Sequence, residues 1–159
     1  METENLTVSL QLERIEVNLF RGVTADNSPV RIFGGQVIGQ SLLAAYETVE
    51  DRICHSLHCY FIRPGDPTVP IIFEVDRSRD GGSFTTRRVI AIQHGQQIFN
   101  LAASFMAHEE GYEHQAPMPA AVPWNDLPDE AEMQKAAMKD APEEAKRWLS
   151  RPRPIEMRS

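Results

Sequence analysis

Apolar residues alternate with polar ones in several short runs over the first 108 residues, and recur at helical spacing in one longer run. "QLERIEVNLF" (residues 11–20) sets Ile15, Val17 and Leu19 on one side of a single strand. "RGVTADNSPVR" (21–31) reads as a loop. "FGGQVIGQSLLAAYETVE" (33–50) reads as a helix opened by a glycine pair, with Val37, Ile38, Leu42, Ala45 and Val49 forming its apolar stripe. Gly39, Ser41, Ala44 and Ala45 are small enough to let it lie close on a sheet. Four strands follow: "ICHSLHCYFI" (53–62), "VPIIFEVDRS" (69–78), "FTTRRVIAIQ" (84–93) and "QIFNLAASFMAH" (97–108). "RPGDP", "RDGGS" and "HGQ" punctuate them as turns. The expected fold class is α+β: one long helix against an antiparallel sheet of about five strands, the last four running as a meander.

Beyond residue 108 the pattern changes. Residues 109–159 hold seven of the eleven prolines, with Ala, Glu and Lys between them. Residues 109–150 read as a Pro-rich connector with one or two helices, Pro142 standing in the first turn of the second. The closing "RPRPIEMRS" (151–159) reads as the start of another extended element. The expected domains are therefore 1–108, 109–150 and 151–159.

Composition narrows the class. Hydrophobic residues make up 42% and charged residues 25%, as in an ordinary globular chain. No apolar run approaches a membrane span, and the N-terminus lacks the basic and apolar regions of a signal peptide. Two cysteines do not make a disulfide framework, so a reducing, cytoplasmic setting is expected. A net charge of −7 argues against a nucleic-acid partner. The exception is "DRSRDGGSFTTRR" (76–88), where Arg77, Arg79, Arg87 and Arg88 surround a Gly-Gly turn. Such a group either meets an anionic small ligand or forms a solvated hairpin end.

The stretch with the most suggestive chemistry is "CHSLHC". Unbroken strand alternation sets Cys54, Ser56 and His58 on one face and His55, Leu57 and Cys59 on the other. Four ligands split between two faces do not converge on a metal, and four residues between the cysteines exclude a C-x-x-C redox motif. The cysteines then read as packing residues, and His58 as either a structural histidine or a pocket-lining one. At "FGGQ", Gly34 and Gly35 either allow tight packing or let a carbonyl oxygen approach the unpaired N–H groups of the helix start. Gln36 stands in that first turn, where it can orient a water or a carbonyl. Nucleotide loops and the G-x-S-x-G elbow are absent, and no cofactor is expected.

"VRIFGGQVIGQSLLAAYETV", "HSLHCYFIRPGDPTVPIIFEVDRSRDGGSFTTRRVIAIQHGQQIFNLAASF" and "RPRPIEMR" together resemble the acyl-CoA thioesterase II family over nearly the whole chain. The resemblance implies a hot-dog fold and hydrolysis of fatty acyl-CoA to free acid and CoA. It also implies tandem hot-dog domains, with this chain matching the first domain, the connector and the first strand of the second. The family's catalytic Asp, Ser or Thr, and Gln belong to the second domain, so no catalytic residue is expected here, and the isolated chain is expected to be weakly active or inactive. By the family pattern Gly35, Gln36 and His58 border a substrate channel, and Ser83, Thr85, Arg87 and Arg88 lie on the strand near the CoA arm. The implied partners are acyl-CoA and a second hot-dog domain or another copy of the chain. The competing expectation is a non-catalytic acyl-CoA-binding or self-assembling module. A hot-dog hydratase is disfavoured, because "FGGQ" lacks the Asp and His of that chemistry.

Overall fold

A computed structural model of the protein describes residues 6–23, 30–139, 141–143, 145, 146 and 158. They form two compact units, Thr7–Glu110 and a second containing residues from Gly111 onward. The expected strand start at 151–159 lies outside the described residues, Arg158 apart.

A helical turn, α1 (Leu6–Ser9), of which residues 7–9 belong to the first unit, leads into β1 (Leu12–Glu16) and β2 (Leu19–Gly22). The single strand expected over residues 11–20 is instead a hairpin. Val17 and Asn18 make its turn, so Ile15 and Val17 are exposed rather than sharing a buried face with Leu19. Helix α2 (Gly34–Tyr46) follows, then β3 (Ile53–Phe61), β4 (Ile71–Asp80), β5 (Phe84–Gln93) and β6 (Gln96–Met106). All pairings are antiparallel, in one six-stranded sheet of order β1-β2-β4-β5-β6-β3.

That order corrects the meander. Strands β4, β5 and β6 do run as successive hairpins, but β3 pairs with β6 at the far edge and never meets β4. Residues 62–70, with Pro64, Pro67 and Pro70, are too long and too stiff for a hairpin turn. They are tied to the start of β6 instead. Ile62 and Arg63 both donate to the Ile98 carbonyl (2.9 and 3.0 Å), and the Arg63 Nη1 donates to the Gln97 carbonyl (2.7 Å).

Register sorts the side chains. Phe20, Phe73, Val75, Val89, Ala91, Phe99, Leu101, Ala103 and Phe105 point to the inner face and form the core beneath α2. The helix meets them with Val37, Gln40, Ser41, Ala44 and Ala45, all buried. Small side chains at 41, 44 and 45 bring its axis close to the sheet, as the sequence leads one to expect. Leu42 is only half-buried, so the packed face is centred nearer Ser41 than the apolar stripe suggests. Burying side chains of this size stabilises the unit by roughly 1.5–3 kcal/mol for each large one.

In the second unit a 3₁₀ turn (Trp124–Asp126) precedes α3 (Glu130–Met138). Asp129 caps α3, its carboxylate accepting from the Glu132 N–H (2.8 Å). Another helical turn begins at Pro142, whose carbonyl accepts from the Lys146 N–H (3.0 Å).

Candidate functional site

Helix α2 begins without a side-chain cap. Its N-cap residue is Phe33, in extended conformation, so the Gly34 and Gly35 N–H groups have no side-chain acceptor. Phe33 is 75% exposed and Phe61 57% exposed, and the two rings lie against the glycines. A Cβ on Gly34 would come within 2.9 Å of the Phe61 ring, and one on Gly35 would overlap Phe33. Gln36 is part of the scaffold through its Nε2, which donates to the Ser9 and Val23 carbonyls (3.3 and 3.2 Å). Gln40 Nε2 donates to the same two carbonyls (3.0 and 3.2 Å). The Gln36 amide oxygen is the part left for a water or a ligand.

The β4–β5 hairpin divides the four residues expected on it. Ser83 is exposed in the turn, and Arg88 is exposed on the outer sheet face, opposite Asp76 and Ala102. Thr85 and Arg87 instead point inward and are buried, Arg87 at 1% exposure. The Arg87 Nε donates to Thr48 Oγ1 (2.8 Å) and its Nη2 to the Thr48 carbonyl (2.9 Å) and Asp80 Oδ1 (2.5 Å). Its Nη1 donates to the Arg79 and Thr86 carbonyls (3.1 and 3.0 Å). Five donations fill the guanidinium. The expectation that Arg87 meets a CoA phosphate therefore yields to a structural role, in which the side chain fastens the end of α2 to the end of β4.

On β3 a bulge between Cys54 and Ser56 breaks the alternation assumed from the letters. Cys54 and Cys59 pair with Phe105 and Leu101 and share the inner face, while Ser56 and His58 pair with Ser104 and Ala102 on the outer one. His55 joins the outer face, its Nε2 2.8 Å from Ser104 Oγ. The histidines thus share one face and the thiols the other, which corrects the expected division. Both thiols are free, and burial pushes the Cys54 thiol up. His58 is exposed and packs edge-on against Tyr60, with ring centroids 4.7 Å apart.

The candidate residues do not converge. Gly35 and Gln36 start α2, whereas Ser83 lies by its far end, about 20 Å away for 13 residues. His58 and Arg88 sit on the other side of the sheet. Two residues with clear roles escaped the letters. Arg52 Nη2 donates to the Gly81 and Gly82 carbonyls (2.8 Å each), and Gln93 grips the 66–70 loop through Asp66, Val69 and Pro70. Neither spacing nor composition signals such long-range contacts.

A family model described as acyl-CoA thioesterase N-terminal domain matches residues 24–106. The chain is 41% identical over 156 residues to acyl-CoA thioesterase 2 of Haemophilus influenzae, a match covering 98% of this chain and 54% of that protein. Among solved structures, acyl-CoA thioesterase II TesB2 from Mycobacterium marinum is 50% identical, with a TM-score of 0.67 over 74% of this chain and 44% of its own. A hot-dog-fold protein of unknown function from Alicyclobacillus acidocaldarius, 23% identical, superposes with a TM-score of 0.67 over 88% of this chain and 51% of its own, a likeness of fold alone. The chain spans about half the length of the thioesterase relative from Haemophilus influenzae. With that match over residues 24–106, and a six-stranded antiparallel sheet packed on one long helix, the chain belongs to the acyl-CoA thioesterase N-terminal domain family and has the hot-dog fold.

Proposed function

We propose that this chain serves as the N-terminal, non-catalytic half of an acyl-CoA thioesterase that hydrolyses fatty acyl-CoA to free acid and CoA. The observation that carries the proposal is the 98% of this chain aligned with one part of a thioesterase. In the reaction, a held water attacks the thioester carbonyl while N–H donors stabilise the oxyanion. The water-holding Asp, Ser or Thr, and Gln belong to a second hot-dog domain, so this half contributes binding surface. Gly35 and the Gln36 amide oxygen would border the acyl-thioester, with Phe33 and Phe61 beside them. Ser83 and Arg88 are candidates for the CoA arm, and His58 for a lining position; Thr85 and Arg87 support the hairpin from within.

Strand β3 is where the second domain would pair. It forms a sheet edge, with Leu57 41% exposed although it points to the inner face. An open, apolar edge favours strand addition by another hot-dog sheet. The same edge supports the second reading, a non-catalytic acyl-CoA-binding module that pairs with another copy of itself. A cytoplasmic setting suits both readings, since both thiols are free. No helix among the described residues is long and apolar enough to cross a membrane.

Thiol release from a medium-chain acyl-CoA tests the first reading. Turnover by the 159-residue chain alone is expected to be weak or absent. Robust turnover would overturn the assignment of the working residues to another domain. Calorimetry separates the readings: acyl-CoA binding with no turnover, and no stimulation by a catalytic hot-dog domain, favours the module.

A further inference from the structure

The proline-rich loop 62–70 touches three other parts of its unit. At its start Ile62 and Arg63 donate to the Ile98 carbonyl on β6 (2.9 and 3.0 Å). In its middle it meets the β5–β6 turn. Gln93 Oε1 accepts from the Asp66 N–H (2.8 Å), and Gln93 Nε2 donates to the Asp66 and Val69 carbonyls (2.9 Å each). His94 Nε2 stands 3.1 Å from Asp66 Oδ2. One residue earlier, the Gly65 carbonyl accepts from the Ile32 N–H (3.0 Å), just ahead of α2. Contact there is tight: a Cβ on Gly65 would come within 2.9 Å of Ile32 Cδ1, and Ile32 is buried. The carbonyl that holds Ile32 and the N–H that Gln93 holds belong to one planar peptide unit, so neither can rotate without the other. Ile32 in turn precedes Phe33, the N-cap of α2, whose carbonyl accepts from the Gln36 and Val37 N–H groups (3.0 and 3.4 Å).

The charged residues of the three joined segments, 30–33, 62–70 and 93–96, are Arg31, Arg63, Asp66 and His94. Arg63 is turned to the Gln97 carbonyl (2.7 Å). His94 is the charged group that acts on the Asp66 carboxylate, whose other oxygen accepts from the Thr68 N–H and hydroxyl (2.8 and 2.6 Å). Gln93 and Thr68 carry no charge and hold Asp66 whatever the pH near neutrality. His94 adds ion-pair attraction only when it is protonated, which makes it the variable part of the grip. The pair is exposed, but its histidine is fixed by the backbone: φ of +50° at His94 and +70° at Gly95 form the left-handed pair of a two-residue hairpin turn.

We propose that this loop is a strap through which protonation of His94 tightens the entry of α2. With the proton on His94, Asp66 is drawn to the β5–β6 turn and the 65–66 peptide is fixed for Ile32. Without it the peptide has more freedom, and the bond from Ile32 to Gly65 opens more often. The strap slackens as pH rises through the titration of His94. That the entry of α2 borders an acyl-thioester rests on the thioesterase reading above; the strap itself does not.

Amide hydrogen exchange of the 159-residue chain, followed by NMR across the titration of His94 and corrected for the intrinsic rate at each pH, tests the strap. Protection of the Ile32 amide is expected to fall by about two- to fivefold as His94 loses its proton, the range of an exposed ion pair. The fall should share its midpoint with the His94 ring resonances. His94→Asn removes the charge but keeps a residue that favours the left-handed turn, and should hold Ile32 at the lower protection at every pH. Asp66→Asn should also abolish the pH step although His94 still titrates, which separates the strap from the through-space field of the imidazolium. Ile32 protection that ignores the charge on His94, or a step that survives Asp66→Asn, would overturn the proposal. So would an equal fall at the Val89 amide in the central strand β5, since it would mark a change in global stability. Failure of the thioesterase reading would appear in thiol release while leaving the Ile32 step intact.

Discussion

Arg87 and Arg88 are neighbours of the same type, yet one is buried and the other exposed. Alternation says that they differ; only the pairing of β5 with β4 and β6 says which one turns inward. Arg87→Ala would leave the Thr48 and Arg79 carbonyls without their donor and is expected to cost about 1–3 kcal/mol in chemical denaturation. Asp80→Asn removes the carboxylate but keeps the carbonyl and hydroxyl acceptors. Asp80 is more than half exposed, so a loss of only about 1 kcal/mol is expected. Asp66 gives the fold a pH dependence. Hydrogen bonds from Thr68, aided by His94, lower its carboxyl from 3.8 to about 2. Because the folded value lies below the unfolded one, the associated stability is present above about pH 4 and lost as pH falls toward 2. Thermal unfolding of wild type and Asp66→Asn should therefore differ most at neutral pH and converge at low pH; a gap independent of pH would show that the carboxylate is not responsible. Position 66 was legible as a turn residue, but its pairing with His94 depends on two turns meeting.

The boundaries of α2 and of β3 to β6 were legible within two or so residues at most ends, because apolar period and turn residues agree there. Two features of the elements were not. Val17 in the β1–β2 turn is apolar, and Asn18 alone in "RIEVNLF" is too weak a signal to announce a hairpin. The β3–β6 pairing depends on contacts between residues 38 to 53 positions apart, which no local window contains. One contact between elements makes a sharp prediction. Gly22 on β2 lies against the Gln40 amide, and an added Cβ would come within 2.7 Å of its oxygen. Gln40 is buried and bonded to two carbonyls, so it cannot swing aside freely. Gly22→Ala is expected to destabilise by about 1–3 kcal/mol. In the Gln40→Ala background that cost should largely vanish, a coupling that a double-mutant cycle measures. Additive losses would mean that the strain lies elsewhere.

For the molecule as a whole, the family resemblance and the strand-and-helix pattern lead to the same fold. The candidate site was less legible: residues expected together lie at two ends of a helix and on two faces of a sheet. A hot-dog unit with β3 at the edge of its sheet among the described residues makes association the main question. Leu57→Lys would put a charge on the inner side of that edge. If β3 carries pairing with another hot-dog sheet, sedimentation should show a population shifted toward monomer by about tenfold or more in dissociation constant. The folding midpoint should change little, because Leu57 is already 41% exposed. An unchanged sedimentation profile, with association present in both proteins, would move the interface away from β3.

The bulge at His55 brings the two thiols onto one side of the edge despite their odd spacing. Their partners on β6 are four residues apart, so the thiols stand about 13 Å from each other along the strand. Cys54 and Cys59 are thus a built-in pair of chemical reporters on whatever covers that edge. When a partner strand docks, both should become slower to alkylate together, and burial, which raises the Cys54 thiol, already slows that one.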